Sequence, residues 1–383
     1  MIIQSTRVYL EELWVSAQLE IENGKIVTIW PYNTKAVDKD YGDHRILPGF
    51  IDTHCHGAFA FDTNDADEEG LLRWLKQIPQ EGVTSLCPTT ITQSEEVLTK
   101  ALRKVAEVAE VAAKKPEGAS IVGIHLEGPY LCTLYKGAQP EKYIVMPDIE
   151  QFKRYHDASN GLLKIMTMAV ENDKNYAFIK EVKKMGVAIN IGHSAATYAE
   201  SLFALANGAN GFTHTFNGMS PFNHREPNLA GAAMQIRDGY AEIITDGIHV
   251  SWPVVNLLFR AKGKDHVVMI TDALQAKGVG EGRYVFGGQE IDIKANGGAY
   301  LANSNSLAGS TLRFNQSLKN VIERAGVEEV SAINACTINP AKVLHMDDVK
   351  GRLRSGYDAD IVVLDRDYEV LETYVLGQSV YCK

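Results

Sequence analysis

The sequence predicts an α/β fold: a barrel of eight parallel strands with helices between them, and a small β-rich unit beside it. Three observations carry that expectation. Between Leu47 and about His345, short apolar runs alternate with amphipathic stretches, and the strand-like runs fall near 49–54, 83–88, 121–127, 163–170, 187–193, 211–215, 241–246 and 266–272. Eight is the number that closes a barrel of parallel strands. The two ends of the chain, residues 1–48 and 346–383, are instead β-rich and helix-poor. Finally, five of the central runs end on a side chain that binds metal ions: His54 and His56, Glu127, His193, His214 and Asp272. Residues at the carboxyl ends of parallel strands converge on one mouth of a barrel.

The elements follow in order. In the amino-terminal part, Arg7-Val8-Tyr9-Leu10 and Lys25-Ile26-Val27-Thr28-Ile29 alternate apolar and polar positions, and Asn23-Gly24 marks a tight hairpin turn. The carboxyl-terminal runs 360–365 and 370–377 look alike, so the two ends are expected to pair as one unit, leaving 49–345 as the barrel. Thr92 and Glu95 suggest a capping box that opens a helix with Val97, Leu98, Ala101, Leu102, Val105 and Val108 on one face. A second helix, Asn175 to Met185, is expected to stop at Gly186 in a left-handed cap. Residues 274–305, rich in Gly and short β runs, break the alternation and fit a hairpin or flap beside the mouth.

Composition narrows the function. The chain has 383 residues, 45% hydrophobic and 22% charged, enough for a large core. A net charge of -10 argues against nonspecific binding to nucleic acid or an anionic membrane, since both reward surplus Lys and Arg. Five scattered cysteines with no CxxC pair read as free thiols in a reducing cytosol. The amino terminus lacks a signal-peptide pattern, and no apolar run approaches the roughly 18 residues of a membrane span, so a cytoplasmic protein is expected.

Imidazoles and carboxylates suit zinc, iron or manganese. In an extended strand, residues two apart point the same way. His54 and His56 can therefore share an ion while Cys55 faces away. A single His is more often a satisfied core residue than a ligand. The set of His54, His56, Glu127, His193, His214 and Asp272 makes the metal reading the stronger one. A metal-dependent enzyme is the first reading, and a bound divalent ion lowers the pKa of water towards about 7, so that hydroxide becomes available at neutral pH. Asp272, kept ionised by a nearby cation, is expected to take the water proton and pass it to the leaving group. His249 or His125 is expected to assist in stabilising the oxyanion.

The run Leu47–Gly57 (LeuProGlyPheIleAspThrHisCysHisGly) resembles the opening signature of the amidohydrolase superfamily. GlyIleHisLeuGluGlyProTyr at 123–130 is similar to something narrower, the N-acetylglucosamine-6-phosphate deacetylases. That likeness continues through 190–194, 213–219, 224–228, 246–250, 271–273 and 307–310, over nearly the whole chain and in the family's order.

The resemblance implies a TIM barrel with a flanking β-sandwich made from both termini. It also implies hydrolysis of the acetamide of N-acetyl-D-glucosamine 6-phosphate. By it, Glu127, His193 and His214 match a metal site present throughout the family. His54 and His56 match a second site kept by some members, so one or two divalent ions are expected, with Glu127 bridging. Asn217, Gly218, His249 and Leu307 match positions around the sugar phosphate. Gln139 falls where some members carry a substrate-contacting His. Arg225 matches an Arg that reaches the phosphate from a neighbouring subunit, which implies a homodimer. Three rivals stay open: a deacetylase for N-acetylgalactosamine 6-phosphate, a cyclic-amide hydrolase or deaminase, and a non-catalytic metal-binding protein of the same fold.

Overall fold

The computed structural model describes residues 1–304 and 306–383. All eight expected barrel strands form, namely Phe50–Cys55, Val83–Thr90, Ile124–Glu127, Leu163–Met168, Ala188–Ile191, Gly211–Phe212, Tyr240–Ile244 and Val267–Ile270. They pair in parallel in sequence order. The eighth strand returns to the first, where the Asp272 amide donates to the His54 carbonyl at 2.9 Å. Beneath that contact the buried Asp52 accepts from the Thr271 hydroxyl at 2.6 Å and from the amides of Thr271 and His54. Burial lifts its carboxyl to about 6, against the opposing pull of Lys277.

The barrel strands read as continuous apolar runs because helices cover them outside and side chains fill them inside. Phe50, Leu86, Leu126, Met166, Ile189, Phe212, Ile243 and Met269 lie together in the largest core cluster. Around the barrel, the helix Glu95–Lys114 buries Leu98, Ala101, Leu102, Val105 and Val108 of the predicted face, while Val97 at its first turn is only half-buried. Its cap differs from the expected box. Ser94 is the N-cap and accepts from the Val97 amide, whereas Glu95 pairs with Arg154. Thr92 lies buried two residues before the cap, its amide donating to Gln139. The later helix spans Ala177–Lys184, and Gly186 beyond it has φ +74°.

The two ends of the chain meet in one eight-stranded sheet, in the order Gln378–Cys382, Val370–Val375, Ile361–Leu364, Arg45–Pro48, Ile2–Leu10, Leu13–Glu22 and Lys25–Pro31, with the short Lys39–Asp40 strand beside Ile2–Leu10. The predicted hairpin turn is present, with φ of 49° at Asn23 and 79° at Gly24, the left-handed pair that a two-residue hairpin needs. Alternation along Ile361–Leu364 explains its unbroken apolar sequence. Ile361 and Val363 belong to the core of this sheet, while Val362 and Leu364 join the core of the barrel.

Residues 282–301 fold as three antiparallel strands, Gly282–Phe286, Gln289–Ile293 and Ala299–Leu301. This flap is held to the barrel by an apolar cluster that includes Ile91, Ala138, Leu274, Phe286 and Ala308. Just before it, Lys277 reaches Glu81 at 2.7 Å, with both side chains 2% exposed, and Glu81 also accepts from the Phe314 amide. Lys277→Met strands a buried carboxylate and is expected to cost about 3–5 kcal/mol in urea unfolding. The E81Q/K277M double variant is expected to recover most of that loss. A single variant within about 1 kcal/mol of the parent would show that the pair contributes little.

Candidate metal centre and active site

Every expected metal ligand lies at the carboxyl end of a barrel strand; His56, Glu127, His193, His214 and Asp272 line one cavity of about 300 Å³, and His54 lies fully buried just behind its wall. His54, Glu127, His193, His214, His56 and Asp272 are all buried. His193, His214 and Asp272 have φ of 46°, 29° and 49°, a left-handed backbone uncommon for non-glycine residues and concentrated at functional sites. Cys55 faces away from the cavity, its thiol against the carbonyls of Asp52 and Cys87.

The hydrogen bonds set the imidazole tautomers. His193 Nδ1 lies 2.8 Å from the Tyr135 carbonyl, and His214 Nδ1 lies 3.0 Å from the Asn217 carbonyl. A carbonyl only accepts, so each Nδ1 carries the proton and each Nε2 presents a lone pair. Those two Nε2 atoms are 3.1 Å apart, and they lie 3.3 and 3.1 Å from Glu127 Oε1. Three acceptors facing one another at this distance call for a cation among them. The donor set therefore fits a divalent metal.

A second group adjoins the first. His54 Nε2 lies 3.4 Å from Glu127 Oε1 and 3.5 Å from Asp272 Oδ1, and it has no hydrogen-bond partner. His56 Nε2 lies 3.1 Å from Asp272 Oδ1 and 3.4 Å from Glu127 Oε2. Glu127 thus turns one oxygen to His193, His214 and His54 and the other to His56. Burial alone would raise the Glu127 carboxyl, but His54, His193 and His214 hold it well below the usual range. Burial likewise opposes ionisation of Asp272, and His54 and then His56 bring it below its ordinary value. Among the described residues neither carboxylate has a Lys or Arg within 4 Å. Positive charge at this place has to come from outside the chain or from the imidazoles.

The expected substrate residues divide. Gln139, Asn217, Gly218, His249 and Leu307 line the cavity. Gly218 has φ +57°, and a Cβ there would meet His193 Nδ1 at 2.8 Å, so the position must be glycine for the ligand ring to fit. His249 donates from Nδ1 to Asp246 at 2.6 Å, which leaves Nε2 for the cavity. Gln139 is 2% exposed, and its amide is committed within the protein: Nε2 donates to Glu127 Oε2 at 2.6 Å and Oε1 accepts from the Thr92 amide. Arg225 is exposed on the loop 221–227 and does not line the cavity of its own chain. Among the described residues it makes no ion pair with Glu226 or any other carboxylate.

His125 is corrected. It lies outside the cavity wall, donating from Nδ1 to the Thr53 carbonyl and accepting at Nε2 from the Thr167 hydroxyl. Burial, with His54 beside it, lowers its pKa to about 4. It is a satisfied neutral core histidine with nothing to offer an oxyanion.

Several site residues escape the sequence reading. Phe286 of the flap packs edge-on against His56, with ring centroids 5.0 Å apart, and forms the cavity wall with Ile91 and Ala138. Glu242 lies buried in the seventh strand against His54 Nδ1 at 3.1 Å. Its signal was available: an acidic residue inside the apolar run Tyr240–Ile244. Lys164 is near the start of the fourth strand, Leu163–Met168, so no lysine stands at that strand's carboxyl end.

Comparison with known proteins agrees with this geometry. The model of the amidohydrolase family matches residues 45–380, and the chain belongs to the amidohydrolase family. Within it, the N-acetylglucosamine-6-phosphate deacetylase of Bacillus subtilis (strain 168) is 36% identical over 369 residues, covering 94% of this chain and 92% of the relative. The N-acetylgalactosamine-6-phosphate deacetylase of Escherichia coli O157:H7 is 33% identical, with 98% of each chain covered. The solved N-acetyl-D-glucosamine-6-phosphate deacetylase of Mycobacterium smegmatis superposes with a TM-score of 0.93 at 30% identity, covering 100% of both chains. Among the described residues no helix is long and apolar enough to cross a membrane.

Proposed function

We propose that this protein hydrolyses the acetamide of N-acetyl-D-glucosamine 6-phosphate to D-glucosamine 6-phosphate and acetate. The observation that carries the reading is the convergence of Glu127, His193 and His214 with Asp272, His54 and His56 around the floor of one cavity, in a chain similar over nearly its whole length to amino-sugar-phosphate deacetylases. Residues 49–345 form the catalytic unit in this reading, flanked by the β unit of 1–48 and 346–383. The cysteines are all free, which suits a reducing cytoplasm.

Glu127, His193 and His214 would hold one divalent ion, and His54, His56 and Asp272, with Glu127 between the groups, would hold a second. When bound, such an ion polarises the amide carbonyl and makes water acidic enough to attack near neutral pH. Asp272 accepts the proton of the attacking water at its carboxylate. It then returns the proton to the amide nitrogen, because an amine leaves only once protonated. Nε2 of His249 and the wall at Leu307 orient the sugar. Phe286 and Ile91 keep bulk water from the reacting carbon.

Arg225 binds the phosphate of the neighbouring site in a homodimer. This placement is supported by its exposure and by its absence from the lining of its own cavity. Arg225→Ala is expected to raise KM for the phosphorylated sugar about 10- to 100-fold, the cost of one charge-assisted pair. KM for unphosphorylated N-acetylglucosamine should change far less. Equal effects on both sugars would remove Arg225 from the phosphate site. Mixed dimers of R225A and D272N are expected to regain activity, since one hybrid site has both residues intact.

A single hydroxyl distinguishes the galactosamine epimer, and the similarity to the Escherichia coli relative makes it the second candidate. Acetate release from the two 6-phosphates tests the assignment. Faster release from the glucosamine epimer is expected. Release from the galactosamine epimer alone, or from neither, would overturn it.

A further inference from the structure

We propose that Glu242 is a positioning residue that aims His54 at the ion-binding group it forms with His56 and Asp272. The inference rests on the metal-dependent reading above and adds a residue to it.

Glu242 is 2% exposed in the strand Tyr240–Ile244, between the two groups. Its Oε2 accepts from His54 Nδ1 at 3.1 Å and from the His214 backbone amide at 3.4 Å. Its Oε1 accepts from Asn190 Nδ2 at 2.9 Å. With Nδ1 protonated towards Glu242, the His54 lone pair sits on Nε2, the atom that faces Glu127 and Asp272. His56, by contrast, has no partner at Nδ1 among the described residues, and there Glu242 is the one carboxylate that orients the HxH pair from behind.

Two alternatives fail on the same contacts. Glu242 could be a ligand in a separate cluster with His54 and His125. However, both nitrogens of His125 are engaged, by the Thr53 carbonyl and the Thr167 hydroxyl, leaving no lone pair free. Glu242 could instead be a structural ion-pair partner, yet among the described residues the only charged or chargeable side-chain nitrogen within 4 Å of its oxygens is that of His54 itself, with no Lys or Arg there. Three donors converge on its two oxygens, which requires an acceptor-only group. A glutamine offers one acceptor and one donor end, so either His54 or Asn190 would face an N–H.

The test is zinc titration of chelator-stripped wild type, E242Q, H54N and H54N/E242Q, with metal content per chain measured by mass spectrometry. Wild type is expected to bind two equivalents. E242Q is expected to keep the tighter one and to bind the other about 10–100-fold more weakly. H54N should show a comparable loss, and the double variant no further loss. The metal-free variants should melt close to wild type. Should E242Q fail to fold, E242D, which keeps the charge but withdraws it from His54, is expected to weaken the same equivalent. Wild-type binding of both equivalents by E242Q, or additive losses with H54N, would overturn the proposal. So would a wild type that binds a single equivalent unaffected by E242Q, and the deacetylase reading would then survive. A wild type that binds no metal would overturn that reading instead.

Discussion

Asp272→Asn is expected to lower kcat by about 10²–10⁴-fold, the range attached to a positioned proton-transfer group. The substitution keeps the shape of the side chain and removes its basicity. Asp272 Oδ1 lies 3.1 Å from His56 Nε2 in the cavity wall, and His54 and His56 hold its carboxyl below the ordinary range despite its burial. It is therefore ionised, an acceptor that lines the cavity in which the proton has to be moved. KM should change little, because the phosphate and sugar contacts are elsewhere, and the ion held by Glu127, His193 and His214 should stay. Steady-state kinetics with parallel metal analysis checks this. A variant that keeps more than a few percent of wild-type kcat would remove Asp272 from the proton path.

Glu127→Gln is expected to be as damaging for a different reason. Glu127 Oε1 faces His54, His193 and His214 within 3.4 Å, and Oε2 faces His56. Replacing it with an amide removes the negative charge shared by both ion-binding groups and leaves imidazole lone pairs facing each other. Metal content should fall, and kcat/KM should drop by more than the 10–100-fold typical of a merely supporting group. Added zinc should no longer raise the melting temperature, whereas wild type should gain stability by mass action. Retention of normal metal content and more than a tenth of kcat/KM would contradict the assignment.

The barrel and its ligands were legible because the same physics wrote both signals. A strand buried on two faces must be a short apolar run, and its carboxyl end is where a polar group first meets the cavity. His54-Cys55-His56 shows this in three residues: two side chains enter the site and the thiol between them enters the core. Capping was less legible. Thr92 and Glu95 satisfy the box pattern, yet Thr92 is drawn into the barrel wall by Gln139 and Ser94 takes the cap. The place of His125 outside the cavity, and the bonds that tie Gln139 to Glu127 at its wall, were hidden in another way. Whether a polar side chain in a barrel faces ligand or protein depends on neighbours from other strands, such as Thr53, Thr167 and Glu127, which no local pattern reveals. Phe286 reaches His56 across about 230 residues of sequence, so its place needs the folded flap.

The central claim is that ion-assisted attack on an N-acyl carbon occurs in this cavity. Its most direct measurement is acetate release from N-acetyl-D-glucosamine 6-phosphate before exhaustive chelation, after it, and after stoichiometric return of a divalent ion. Loss of release on chelation and its recovery on return of the ion are predicted. Undiminished release from protein shown to be free of metal would contradict the account.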